Sequence, residues 1–399
     1  MAILSLKALK RLGPGLVTGA ADDDPSGIAT YSQIGARFGY TLSWTMLFSM
    51  PLMMVIAEWR WLRTRDDTYL TLAKRWAKGT AILFAVGAVS GTVLSFELGL
   101  LWPEFMKFAG PIIGMPFSLE GFAFFTEAIF LGIYLYGWNR VSPRKHLWAG
   151  VIVALSGALS AVFVVIANAW MNTPTGFSFY AGKVANVDPI AAMMNPSALG
   201  QTIHMVLAAY AATGFAVAGV HAYLLLGDKQ NLFHRQALKI ALLVGGVAAV
   251  LQPISGDILG QTLAKNQPVK LAAMEGHLKT GPAAFVIGGW PDERTLEHRG
   301  AIEIPGALSL LLHGDANAII KGVDAVPADE RPPLAVVHIA FQVMVACGMA
   351  MAALGVWTLV RAWRRRRGPA RADHVQRRRQ PDGPDRPLRR RRAPGARGA

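Results

Sequence analysis

Of the 399 residues, 53% are hydrophobic and only 16% are charged, and the formal net charge is +15. Fifteen Arg and three Asp from Arg361 onward supply +12, which leaves residues 1–360 with 25 basic and 22 acidic side chains. The basic excess is thus a terminal stretch rather than a nucleic-acid surface. One cysteine excludes an internal disulfide framework and any multi-cysteine zinc or iron–sulfur centre, and the apolar content excludes intrinsic disorder for most of the chain.

A bilayer core is crossed by roughly 20 apolar residues. Eight stretches reach that length, at about 13–35, 41–59, 79–101, 116–138, 147–170, 201–226, 237–256 and 334–362. They predict an all-α, polytopic transmembrane helix bundle. The first is broken by Asp22, Asp23, Asp24 and Pro25, which argues against a cleavable signal peptide. Lys and Arg collect at the N-terminus, in 60–78, after the fourth and sixth spans and after the eighth; the connections near 36–40, 102–115 and 171–200 are poor in them. The positive-inside rule then puts both termini on the cytoplasmic side of the membrane. Residues 257–333 form one long external loop without a clear helical pattern, and the chain ends in an Arg-rich tail over 367–399, expected to be disordered.

Several polar groups are costly inside a membrane. Glu120 and Glu127 are seven residues apart, nearly two turns, and so share a helix face. Intramembrane carboxylates point to function, here a proton path. His204 opens the sixth span and Met344 lies about ten residues into the eighth, at matching depths if both helices start outside. An imidazole and a thioether are the axial pair of a low-spin haem; spacing leaves His221 and His338 as rivals. Asp24, in the polar break Asp22 to Gly27, is a cation candidate. An arginine cluster at the cytoplasmic end of a helix would attract acidic membrane lipid.

From about Glu58 to Arg366 the chain resembles subunit I of cytochrome bd quinol oxidases, particularly the cyanide-insensitive branch. The resemblance rests on EWRWLRTRDDTYLTLAKRWAKG, GAVSGTVLSFELGLLWPEFM, PFSLEGFAFFTEAIFLGIYLYGWNR, ANAWMNTPTGF, HMVLAAYAATGFAVAGVHAYLL, QPVKLAAMEGH, IGGWPD and PPLAVVHIAFQVMVACG. It implies that His204 and Met344 hold haem b, and that Lys270 and Glu275 serve quinol oxidation in a quinol loop at 257–333. It implies that Glu120 and Glu127 lie on the proton path to high-spin haems (haem d or further haem b), with Asn168 and Trp170 in a family block. Quinol, oxygen and a subunit II are the implied partners; nucleic acid is not.

Residues 1–56, with GPGLVTGAADDDPSGIATYSQIGARFGYTLSWTMLFSMPLMMVI, resemble the first two helices of Nramp-type divalent-metal transporters. Gly27 stands where that family's asparagine ligates metal. The expected organisation is therefore 1–56 transporter-like, 57–256 oxidase-like bundle, 257–333 quinol loop, 334–366 haem-ligating helix and 367–399 tail. The oxidase family's first helix carries a haem-ligating histidine, whereas the first histidine here is His146. Its later helices carry further ligands, whereas here the sequence after Arg366 reads like out-of-frame translation of GC-rich DNA. The expectation is a chain that is not a competent oxidase, even with its partner subunit.

Overall fold

The computed structural model describes residues 45–180 and 183–367. Seven long helices dominate: α1 (Thr45–Thr64), α2 (Asp67–Leu101), α3 (Pro103–Tyr136), α4 (Pro143–Asn172), α6 (Ala198–Gly227), α7 (Leu232–Asn266) and α10 (Leu334–Arg367). Short helices α5 (Pro189–Met193), α8 (Pro268–Glu275) and α9 (Ala307–His313) lie in the connections. So do the antiparallel pairs β1 (Ser178–Tyr180) with β2 (Lys183–Ala185), β3 (Gly281–Pro282) with β6 (Ile319–Ile320), and β4 (Phe285–Asp292) with β5 (Glu297–Ile304).

Among the described residues five helices are long and apolar enough to cross a membrane: α3, α4, α6, α7 and α10 over Leu334–Arg364. α1 and α2 are helical where spans were expected at 41–59 and 79–101 but are not among these five; residues 41–44, the expected span at 13–35 and Asp24 lie outside the described residues. Ile82, Phe122, Phe125, Ile129, Leu155, Leu159 and Ile254 are all exposed on helix surfaces. In water they would form an aggregating surface; against lipid their exposure costs nothing.

The helix limits correct the expected connections. The basic segment 60–78 is helical except for Arg65 and Asp66. Arg65 turns the chain with φ of 57°, and the Asp66 side chain accepts from Thr68 N to start α2. The presumed connection at 102–115 is also helix, broken only at Trp102, because Pro103 at the start of α3 needs no donor there. A helix of 34 residues is about 50 Å long, well beyond the roughly 30 Å hydrocarbon core. Charged helix ends that project past the bilayer look like loops in a hydropathy pattern. The segment 257–333 is likewise corrected: α7 continues to Asn266, and the remainder is a folded unit of α8, α9 and the two sheets β3–β6 and β4–β5.

The chain runs up and down, so the turns at 65–66, 137–142 and 228–231 fall at one end of the bundle, called here the basic end. The segments 173–197 and 267–333 fall at the other, the loop end. A core cluster that includes Met53, Met54, Leu72, Tyr134, Ala237 and Ala241 ties α1, α2, α3 and α7 together. A stacked Phe84–Phe124 pair, with centroids 4.9 Å apart, joins α2 to α3.

Candidate functional site

Glycines bring α6, α7 and α10 into backbone contact. A Cβ on Gly214 would stand 2.4 Å from Gly245 Cα, and one on Gly355 would stand 2.7 Å from the Gly246 carbonyl oxygen. Small residues at helix crossings are the usual means of close packing in membranes. Next to these crossings Ala211, Ala248, Ala249 and Met351 form one cluster. Seven residues on a helix return nearly to the same face, about 10 Å along the axis. One such step toward the loop end from Ala211, Ala248 and Met351 reaches His204, Ser255 and Met344.

His204 is buried, and its Nδ1 lies 2.8 Å from Ser255 Oγ. Its Nε2 lies 3.0 Å from Gln252 Nε2. A Cβ on Gly256 would stand 3.2 Å from His204 Cε1, so the missing side chain makes room for the imidazole edge. Met344 is half-buried. Among the described residues no group of three or more His, Cys, Asp and Glu could hold a metal ion. The donor set in this layer is one imidazole and one thioether, which fits an axially ligated haem.

The rivals are engaged elsewhere. His221 is 17 residues from His204 on α6, about 25 Å along the axis. Its Nδ1 lies 2.9 Å from His234 Nδ1, near the basic end. His338 is fully buried, with Nδ1 2.9 Å from the Met274 carbonyl and Nε2 3.1 Å from the Gly288 carbonyl.

A second polar line runs between α3 and α4. Glu120 accepts from Ser160 Oγ at 2.9 Å. Glu127 is buried, with its carboxylate 3.0 Å from where a Cβ on Gly157 would sit, and its Oε1 has no hydrogen-bond partner. Tyr134 continues the seven-residue spacing and packs its ring over Gly150. Next to it, Glu58 Oε1 lies 2.8 Å from His146 Nδ1, and His146 Nε2 lies 2.9 Å from the Tyr134 carbonyl. Glu58, Tyr134 and His146 are all buried and were missed as site residues in the sequence. The repeat 120, 127, 134 was the available signal.

At the loop end α8 follows α7 directly. Gln267 donates from Nε2 to the Asn172 carbonyl at 2.9 Å, and Lys270 donates to Asn172 Oδ1 at 3.4 Å. These bonds pin α8 to the end of α4, where Trp170 donates to the Thr175 carbonyl at 2.9 Å. Asn168 accepts from Asn172 Nδ2 at 3.1 Å. Lys270 and Glu275 are five residues apart, so their side chains leave α8 about 140° apart. Burial pushes the Glu275 carboxyl up to about 7, and its Oε2 has no hydrogen-bond partner. Gly276, with φ of 71°, ends α8 and lets His298 donate to its carbonyl at 2.6 Å. A side chain at 276 would collide with the rings of His298 and His338.

The loop is clasped to α10 through three positions four residues apart. Leu334 N donates to Glu293 Oε1 at 3.1 Å, and His338 meets the two carbonyls above. Gln342 donates to the Val286 carbonyl at 2.9 Å and accepts from Gly288 N at 3.3 Å.

Residues 33–377 match the family model for cytochrome bd terminal oxidase subunit I. A Bacillus subtilis (strain 168) protein, provisionally named as a cytochrome bd menaquinol oxidase subunit I, is 38% identical over 338 residues, covering 82% of this chain and 76% of that protein. The cytochrome bd ubiquinol oxidase subunit 1 of the same organism is 32% identical over 324 residues, covering 78% of this chain and 69% of that protein. The solved bd oxidase from Geobacillus thermodenitrificans aligns at 38% identity with a TM-score of 0.75, covering 88% of this chain and 77% of its own. The family match takes in residues 33–56, which the sequence had assigned to a transporter likeness, and nothing in these comparisons supports that likeness. The chain belongs to the family of cytochrome bd terminal oxidase subunit I.

Proposed function

We propose that this chain carries the quinol-oxidising half of a membrane quinol oxidase, with His204 and Met344 as the residues that would hold haem b. The family works with quinol, oxygen and a second subunit, and it carries haem. The observation that supports the residue assignment best is the shared layer of His204, Ser255 and Met344 beneath a loop clasped to α10.

Quinol approaches the loop end near α8. Glu275, with its carboxyl near 7, is poised at neutral pH to take a proton from quinol. Lys270, held by Asn172, supplies positive charge that orients the quinol oxygen. The haem, when bound, supplies one-electron transfer at a potential raised by its thioether ligand. Glu127 and Glu120, with Ser160 as hydrogen-bond donor to Glu120, carry protons from the basic end toward oxygen reduction. In the family reading a high-spin haem, of the b or d type, would supply the oxygen chemistry there.

Positive residues at the turns of one end, including Arg65, Arg140 and Lys229, orient that end to the cytoplasm of the bacterial inner membrane. Both termini then face the cytoplasm, and the arginines from Arg361 onward meet acidic lipid headgroups.

The test is a reduced-minus-oxidised optical spectrum of the solubilised protein. A low-spin haem b signal is expected in the parent and absent in His204→Ala. A signal that survives that substitution refutes the ligand assignment.

A further inference from the structure

We propose that Ser255 is a positioning residue for His204, fixing its imidazole as the Nδ1–H tautomer so that Nε2 is the ligating atom. The inference rests on the reading of His204 as a haem ligand. The ligating nitrogen is Nε2, and the hydrogen bonds around the ring keep it unprotonated.

Two sets of hydrogen bonds lead to the same tautomer. Ser255 Oγ is 2.8 Å from the Gln252 carbonyl and donates its only proton there. Toward His204 Nδ1, at 2.8 Å, the hydroxyl can then only accept, so Nδ1 carries the hydrogen. On the other ring edge stands the Gln252 amide. Its Nε2 lies 3.2 Å from the His204 carbonyl oxygen and 3.0 Å from His204 Nε2. The carbonyl contact requires the NH2 group, rather than the amide oxygen, to face this edge. An NH2 group can only donate, so His204 Nε2 is the acceptor and holds a lone pair.

Packing adds a third restraint. A Cβ on Gly256 would come within 3.2 Å of His204 Cε1, so the imidazole edge rests against α7 backbone and has little room to rotate. Ser255, Gln252 and Gly256 sit within five consecutive residues of α7, around Pro253. Pro253 has no amide hydrogen to compete for nearby carbonyls.

A ligating histidine whose other nitrogen donates to a fixed acceptor is held in the correct tautomer and made more basic, and loss of that acceptor typically weakens metal binding 10–100-fold. Here the acceptor is a hydroxyl whose own proton is tied down by the same helix. The Gln252 amide donates to the Nε2 lone pair.

The experiment uses the full chain in detergent, loaded with haem b, in four forms: parent, Ser255→Ala, Ser255→Thr and His204→Ala. Haem transfer to an apoprotein acceptor gives affinity, and a redox titration gives midpoint potential. Ser255→Ala is expected to lose haem about 10–100-fold more readily and to shift to a higher midpoint. Ser255→Thr, which keeps the hydroxyl, is expected to restore both. If Ser255→Ala matches the parent in both while His204→Ala loses haem, the positioning role falls and the ligand reading stands. If His204→Ala keeps its haem, the ligand reading falls first. Nitrogen-15 spectra of histidine in the haem-free parent test the tautomer without any substitution: an Nδ1–H His204 supports the inference, and an Nε2–H His204 overturns it.

Discussion

Replacing Glu275 by Gln removes one ionisation and little volume. Burial pushes this carboxyl from an ordinary value of 4.5 up to about 7. The folded chain therefore holds the Glu275 proton more tightly than the unfolded chain does. Its contribution is fully present below the unfolded value and is lost as pH rises through about 7. A shift of about 2.5 units corresponds to roughly 3 kcal/mol between the protonated and ionised extremes. The assay is thermal unfolding of the solubilised protein from pH 5 to pH 8.5. The parent should lose more stability across that range than Glu275→Gln does, the gap between the two curves narrowing as pH rises through about 7. Other shifted groups at this end do not imitate the effect. His277 is held below its usual range mainly by burial and adds the opposite slope on the acid side. Asp324 is held down by the Thr280 hydroxyl, and Asp292 by the backbone amides of Arg294 and Thr295, so both titrate below the window. Parallel curves for parent and variant would refute the argument that burial governs Glu275.

The helix crossings and the buried pair give two further expectations. Gly214→Ala puts a methyl 2.4 Å from Gly245 Cα; overpacking of this kind costs about 1–3 kcal/mol. Lowered thermal stability together with weakened haem retention is expected, and an unchanged melting curve would contradict the crossing. Glu58→Ala removes the carboxylate hydrogen-bonded to the buried His146, a loss of about 1–3 kcal/mol. A double-mutant cycle with His146→Ala should show more than 1 kcal/mol of coupling, and additivity would show that the two side chains act independently.

Helices were legible in the sequence because long uncharged runs such as Val151 to Ala169 have few other uses. Their ends were not. Arg60, Arg63, Lys74 and Arg75 lie within α1 and α2, on turns that project beyond the apolar core, and hydropathy cannot tell such turns from loops. The loop at 257–333 hid its structure for a different reason. Its folding depends on pairing across distance, Gly281 with Ile320 and Phe285 with Ile304, and no local pattern signals that. Glu120 and Glu127 stood out because each is costly where it lies. Glu58 and His146 escaped because each sits close to charged neighbours in sequence and becomes buried only when α1 packs on α4.

His338 and Gln342 interrupt an otherwise apolar run from Leu334 to Val360. The structure gives them a use. Both reach out of α10 to backbone groups of the loop, and Glu293 reaches back to the first turn of α10. Met344 is only two residues beyond Gln342. A rigid helix therefore carries both the clasp of the loop and a residue of the His204 layer. A neutral imidazole has one N–H, so replacing the buried His338 would leave at least one of the Met274 and Gly288 carbonyls without its donor, a cost of roughly 1–3 kcal/mol. That energy opposes any separation of the loop from α10. In the proposed reading it keeps the quinol site and the ligand layer on one mechanical element, so the distance an electron must cross is fixed by helix geometry rather than by a mobile loop.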